Sequence, residues 1–315
     1  MSEQQPLYKY LGKPKPDYND MFGVELELEA KPGYSMPLIS NSMIQSKNDN
    51  SLRNGIEYMW NGPQDWDKTK KSIKYLTEKL GEIKNTLQFS PRCSIHVHVN
   101  VQDLTSSQLL NFIAVAWYME DFIIDSCADY RRNNNFCARI SDSETNVFNI
   151  VQGLRDGTKL FDYRFSTDRY KYSGTNLCTI RSFGTLEFRM FQATIDPIML
   201  EAWCKTLDNM KQYAKSFDTP ESLMRELEKN SFETIASPLV SDPKLFAPID
   251  IYNAEMNNLF LISKIISAYD EKTNGYVSRI RKKRTNYTAG TTMGIVADDD
   301  LRALLMQARE GREPE

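Results

Sequence analysis

The sequence is poor in the residues that most often carry catalysis and cross-linking. Its 315 residues include only two histidines and five cysteines. No two cysteines form a C-x-x-C pair, and their number is odd, which argues against a disulfide framework and predicts reduced thiols. The net charge is only -3, so no global field would draw the chain onto nucleic acid or an anionic membrane.

Long apolar runs and nucleotide-binding signatures are also missing. The most apolar long stretch, residues 109–124, contains Glu120 and Asp121 and is too short to span a bilayer. The polar first residues lack the apolar core of a signal peptide. Neither GxxxxGK[ST] nor GxGxxG occurs, which argues against P-loop and Rossmann nucleotide sites. These absences predict a soluble protein of the cytoplasm, which would be the host cytoplasm for a viral protein.

Periodicity divides the chain into a strand-rich first half and a helix-rich second half. Alternation predicts strands at 22–30, 93–101 and 185–192, and apolar runs predict two more at 36–44 and 54–60. Helical spacing predicts a helix from Trp66, and a Thr105–Gln108 capping box predicts the start of another. Asp196 and Pro197 predict a helix to about Ser216, with further helices near 147–154, 219–230, 251–269 and 298–309. The expected fold class is α+β, with a mainly helical C-terminal region.

Three of these strands carry functional groups on the face that is not apolar. They are Glu25, Glu27 and Glu29 on the first strand, His96, His98 and Asn100 on the second, and Glu187 and Arg189 on the third. Each strand alone is more typical of an ordinary solvated face than of a functional site. If all three share one sheet, carboxylates and imidazoles converge, and crowded carboxylates resist ionising unless cations neutralise them. Mg²⁺ or Mn²⁺ suits such donors, and Glu57 is a further candidate ligand.

Positive charge accumulates just before the last of these strands. The cations are Arg164, Arg169, Lys171 and Arg181, with Arg189 on the strand itself. Arginines beside metal-binding carboxylates suit anionic oxygens, above all those of phosphates.

Three motifs in sequence order resemble those of a known family. GVELE (23–27), IHVH (95–98) and GTLEFR (184–189) are similar to motifs of the carboxylate–amine ligases of the glutamine synthetase fold. The block RYKYSGTNLCTIRSFGTLEFRMFQATIDP (169–197) resembles the amidoligase branch of bacteria, phages and some fungi. The resemblance covers roughly residues 20–215. It implies a curved antiparallel sheet forming a funnel, with ATP and substrate at opposite ends and Mg²⁺ or Mn²⁺ between them.

The resemblance also implies roles for individual residues. The implied metal ligands are Glu25, Glu27, Glu57, His96 and Glu187, with Glu25 and Glu27 on different ions. The implied catalytic residues are Glu27, Arg169 and Arg189, the two arginines stabilising charge on the transferred phosphoryl group. The implied ATP contacts are His98, Arg169, Asn176, Arg181 and Arg189.

The reaction implied by the resemblance joins a carboxylate to an amine. ATP phosphorylates the carboxylate, the amine attacks the acyl phosphate, and an amide, ADP and phosphate result. The substrates would be small-molecule or peptide acids and amines, and ammonia would come from solution or from a separate amidotransferase. The expected organisation is a flexible arm (1–19), an amidoligase-like catalytic domain (20–217) and a helical region (218–315).

Two other classes of function remain open. One is a catalytically silent member of the fold that serves binding or assembly. The other is a metallohydrolase built on His96 and His98, which is disfavoured because hydrolytic zinc sites usually take more nitrogen ligands. The basic run at 279–284 is more typical of a solvated surface than of a nucleic-acid contact. The amphipathic tail at 296–310 predicts either a homo-oligomer contact or a helix that docks back on the domain.

Overall fold

A computed structural model gives the architecture of the chain. It describes residues 5–12, 15, 20–132, 134–143, 171–242 and 251–274. In the last range, side chains are described for residues 258–269 alone. Residues 1–272 form one compact unit and residues 273–315 a second. The predicted helices near 147–154 and 298–309, the basic run at 279–284, Arg164 and Arg169 lie outside the described residues.

One antiparallel sheet forms the centre of the first unit. Its strands are β1 (Phe22–Ala30), β2 (Ile44–Asn48), β3 (Gly55–Trp60), β4 (Leu87–Gln88), β5 (Ile95–Asn100), β6 (Thr175–Asn176) and β7 (Thr185–Phe188). Their order is β2-β3-β1-β5-β7-β6, and β4 pairs with the end of β1. The structure combines helices with one antiparallel sheet, which confirms the predicted mixture of helices and strands. That the sheet is of the glutamine synthetase type stays a prediction.

Helices follow or separate the strands along the chain. They are α1 (Leu7–Tyr10), α2 (Trp66–Gly81), α3 (Ser106–Ser126), α4 (Thr179–Phe183), α5 (Pro197–Lys215), α6 (Pro220–Lys229), α7 (Phe232–Ala236) and α8 (Ile251–Asn274). The predicted capping box at Thr105 is confirmed, because its hydroxyl accepts from Gln108 N–H while the Gln108 side chain accepts from Thr105 N–H. Asp196 caps α5 by accepting from Ile198 N–H at 2.9 Å.

The apolar face of the sheet packs against helices and forms the core. Val97 and Phe188 are fully buried, and the Phe188 ring lies 5.6 Å from that of Phe112 on α3. Packing between α3 and α5 extends this core, in which Phe191 stacks on Trp203 of α5 at 5.0 Å. Because this face is covered, the opposite face of β1, β5 and β7 is left for polar groups. Among the described residues, no helix has both the length and the apolar character to cross a membrane.

The strand predicted at 36–44 is wrong, because β2 begins at Ile44. The Asn41 side chain accepts from the N–H groups of Met43 and Ile44, at 2.7 and 2.9 Å, and so forms a turn where the strand was expected. Apart from Ile44, the residues of β2 are polar, and the strand lies at the edge of the sheet. Hydrophobic alternation therefore gives no signal for it.

Candidate active site

The strand register brings the polar side chains of β1, β3, β5 and β7 onto one face of the sheet. Glu25 lies opposite His96 across β1 and β5, and His98 lies opposite Glu187 across β5 and β7. Glu27 lies opposite Glu57 across β1 and β3. Residues in these positions point to the same side because side chains alternate along every strand. The motifs that are far apart in the sequence therefore meet at one surface, most of which is shielded from solvent.

One set of donors combines imidazole with carboxylate and is called here the histidine group. It consists of Glu25, His98 and Glu187, each offering one ligand atom within 4.8 Å of the others. His98 Nε2 lies 3.4 Å from Glu25 Oε1. His96 adjoins the group, since its Nδ1 lies 3.3 Å from Glu25 Oε2 and 3.5 Å from Glu187 Oε1. Glu25, with 27% of its side chain exposed, is the member most open to solvent.

A second set contains carboxylates alone and is called here the carboxylate group. It consists of Glu27, Asp49 and Glu57, again with ligand atoms within 4.8 Å of one another. Burial raises the pKa of Glu57 to about 7, and the charge of Glu25 adds to this effect while Lys47 opposes it. Lys47 Nζ lies 3.5 Å from Glu57 Oε2 on a mostly exposed side chain. A buried carboxyl that retains its proton near neutrality indicates that more positive charge could be accommodated here.

Asp49 is a member of the carboxylate group that sequence reasoning missed. It lies in the turn between β2 and β3, where its Oδ1 accepts from Ser51 N–H at 2.6 Å. An acidic residue in a polar turn carries no distinguishing pattern. Only the pairing of β2 with β3, and of β3 with β1, brings it beside Glu27.

Glu187 is held from both sides by cationic and amide donors. Arg189 Nη1 lies 2.5 Å from Glu187 Oε1, and Asn176 Nδ2 donates to Glu187 Oε2 at 2.5 Å. Burial by itself would raise the pKa of Glu187, but the charges of Arg189, His96 and His98 outweigh it and hold the pKa below its usual value. The carboxylate is therefore ionised and fixed in orientation.

Glu25 and His98 shift each other's pKa in the direction that favours their charged forms. Burial opposes the charge of Glu25, but hydrogen bonds with His96 and His98 move its pKa well below the usual range. Burial likewise opposes the charge of His98, yet Glu25 and Glu187 raise its pKa above the ordinary value. An anion at Glu25 and a cation at His98 each favour the other.

Other residues of the predicted set occupy different places. Asn176 and Arg189 contact Glu187, as described above, whereas Arg181 is exposed on α4. Glu29 is buried, but its Oε1 accepts from Arg53 N–H at 2.8 Å and it belongs to neither group. Arg169 lies outside the described residues.

A fully enclosed serine is a second residue that sequence reasoning missed. Ser94 Oγ lies 2.5 Å from Glu27 Oε2 and 2.8 Å from His96 Nε2. Serine before a strand is unremarkable in sequence, and the contact with Glu27 joins residues 67 positions apart.

A largely buried sheet face that gathers carboxylates, imidazoles and an arginine is typical of an enzyme site. Residues 62–210 match the family model described as "Putative amidoligase enzyme". The match supports the amidoligase family, a family of ligases, and so confirms the resemblance that the motifs predict. The matched range contains β5 and β7, while β1 with Glu25 and Glu27 precedes it. No curated protein matches the chain.

Proposed function

We propose that this protein is an ATP-dependent carboxylate–amine ligase of the glutamine synthetase fold that forms an amide through an acyl phosphate. The observation that carries the proposal is the pair of ligand groups on one sheet face, with Arg189 beside them. The family match supports the ligase class. ATP, the two substrates, a separate ammonia-supplying amidotransferase and a cytoplasmic location belong to the proposal.

The donor sets fit divalent cations. Mg²⁺ takes carboxylate oxygens, and Mn²⁺ also accepts imidazole, which matches the carboxylate group and the histidine group respectively. The raised pKa of Glu57 shows how costly the crowded carboxylates are without further positive charge. Ions held by the carboxylate group and the histidine group would neutralise the negative charge on the oxygens of ATP.

Arg189 is the residue best suited to hold a transferred phosphoryl group. Its guanidinium is largely buried, with Nη1 fixed by Glu187 and Nε 3.5 Å from the carbonyl of Phe136. A planar guanidinium held in this way is preorganised for phosphate oxygens. Arg169 is proposed to act on the same phosphoryl group.

His98 is proposed to contact ATP at the margin of the site. The Phe183 ring, 64% exposed, meets the His98 ring edge-on at 5.9 Å. Phe183 is thus exposed beside His98, whose own side chain is 12% exposed. Arg181, two residues before Phe183, would add a positive charge for the nucleotide, and Asn176 would act by holding Glu187.

The test is ADP release from ATP with pooled acids and amines, in the presence of Mg²⁺ or Mn²⁺ and after chelation. We expect activity only with metal, and a loss of at least roughly hundredfold in Glu187→Gln, since even the partners of metal ligands cost ten- to hundredfold. Glu29→Gln is the matched control, because it makes the same change at a buried position outside both groups. The mass of the product would identify the acid and the amine.

The outcomes separate the ligase from a silent member of the fold. Normal ADP release by Glu187→Gln would contradict the proposed site. A thermal shift with ATP and Mg²⁺, which reports binding to the native state alone, combined with no ADP release would favour a binding or assembly role. No shift and no release would leave no support for ATP chemistry.

A further inference from the structure

Ser94 connects the two ligand groups through a single hydroxyl. It precedes β5 and is only 2% exposed, and its carbonyl accepts from Glu27 N–H at 2.9 Å. Its Oγ contacts Glu27 Oε2 at 2.5 Å on one side and His96 Nε2 at 2.8 Å on the other. Glu27 belongs to the carboxylate group, whereas His96 adjoins the histidine group.

The number of protons fixes the direction of both hydrogen bonds. A serine hydroxyl has one proton to donate and lone pairs with which to accept. The 2.5 Å contact with Glu27 has the length of a hydrogen bond from a hydroxyl to a carboxylate. Ser94 therefore donates to Glu27, and the remaining bond runs from His96 Nε2–H to Ser94 Oγ.

This direction determines which nitrogen of His96 faces the ligand group. With a proton on Nε2, the Nδ1 atom is the one directed at Glu25 Oε2 and Glu187 Oε1. Nδ1 is therefore the ring atom through which His96 would join a cation shared with Glu25 and Glu187. In metal sites, the orientation and tautomer of a histidine ligand are commonly fixed by a hydrogen bond from its other nitrogen.

We propose that Ser94 is a positioning residue that keeps a proton on His96 Nε2 and so turns Nδ1 towards Glu25 and Glu187. Through the same hydroxyl it holds Glu27, which couples the orientation of one ligand group to that of the other. The effect on metal affinity rests on the proposed metal sites, whereas the position of the proton does not.

His98 provides an internal control because its hydroxyl partner binds the other nitrogen. Thr185 Oγ1 lies 3.1 Å from His98 Nδ1, while His98 Nε2 faces Glu25. Ser94→Ala removes the hydroxyl at His96, and Thr185→Val removes the one at His98. The chain has two histidines in all, so their ring signals can be assigned from these two variants.

The experiment records long-range ¹H–¹⁵N spectra of metal-free protein with labelled histidine. We expect His96 Nε2 to carry a slowly exchanging proton in the wild type. In Ser94→Ala the His96 Nε2 proton should exchange faster or transfer to Nδ1, while the His98 signals stay unchanged. In Thr185→Val the His98 signals should change, while those of His96 stay as in the wild type. An unprotonated Nε2 at His96 in the wild type, or unchanged His96 signals in Ser94→Ala, would overturn the proposal.

A calorimetric titration with Mn²⁺ tests the consequence for the ligand groups. Ser94→Ala should weaken Mn²⁺ binding by about ten- to hundredfold, while Ser94→Thr, which retains the hydroxyl, should bind more tightly than Ser94→Ala. Equal Mn²⁺ affinity in the wild type and Ser94→Ala would overturn the proposal that Ser94 couples the orientations of the two ligand groups. The spectra need neither ATP nor turnover, so a failure of the ligase proposal would leave the result for Ser94 intact. Should Ser94→Ala not fold, the wild-type spectrum and Ser94→Thr still decide the matter.

Discussion

Glu120 offers a sharp test of how burial controls charge in this fold. It lies on α3 outside the candidate site and is 1% exposed. Its Oε2 accepts from Ile140 N–H at 2.5 Å, while among the described residues Oε1 has no hydrogen-bond partner. Burial raises the pKa of Glu120 to about 8, with Ile140 N–H opposing the shift and Asp121 adding to it. The carboxyl is therefore neutral at pH 7 in the folded protein.

The sign and size of the effect on stability follow from proton linkage. Between the ordinary pKa of 4.5 and about 8, the unfolded chain has released this proton while the folded chain retains it. Raising the pH therefore favours unfolding, by about 1.4 kcal/mol per pH unit. From pH 5.5 to pH 7.5, Glu120 should lower the free energy of unfolding by about 3 kcal/mol.

Glu120→Gln keeps the shape of the side chain and removes its ionisation. Urea unfolding at pH 5.5 and pH 7.5 gives the difference in stability between the variant and the wild type. We expect that difference to move by about 3 kcal/mol in favour of the variant at the higher pH. Glu78→Gln, at an exposed position of α2, controls for a general loss of charge. A difference for Glu120→Gln that is the same at both pH values would refute the assignment of a buried neutral acid.

Two further predictions concern stability. Arg139→Met leaves Asp121 and Asp125 without their shared guanidinium, so urea unfolding at pH 7 should show a loss of roughly 3 kcal/mol; an unchanged midpoint would contradict the pairing. Gly184→Ala introduces a Cβ at φ 75 that overlaps the Gln102 side chain, so we expect a loss of about 1–3 kcal/mol by thermal or urea unfolding. Gly81→Ala is its control, because nothing lies within 4 Å of the new Cβ, and a similar loss there would contradict this reasoning.

Elements governed by neighbouring residues could be predicted from the sequence. The alternation of β1 and β5 and the caps at Thr105 and Asp196 depend on contacts within a few residues, and the structure confirms them. The edge strand β2 could not be predicted, because its position depends on the turn at Asn41 and on pairing with β3. A short polar strand is defined by its partner rather than by its own pattern.

The sequence by itself determined that the donors of β1, β5 and β7 share one face of each strand. Alternation along β1, β5 and β7 is sufficient for that conclusion, because the side-chain period of a strand is two. Only the tertiary structure decided how the donors are grouped. Glu25 joins His98 and Glu187, while its near neighbour Glu27 joins Asp49 and Glu57. Which residues lie opposite one another depends on the register between strands, and register is fixed by long-range pairing and turn geometry that no single motif contains.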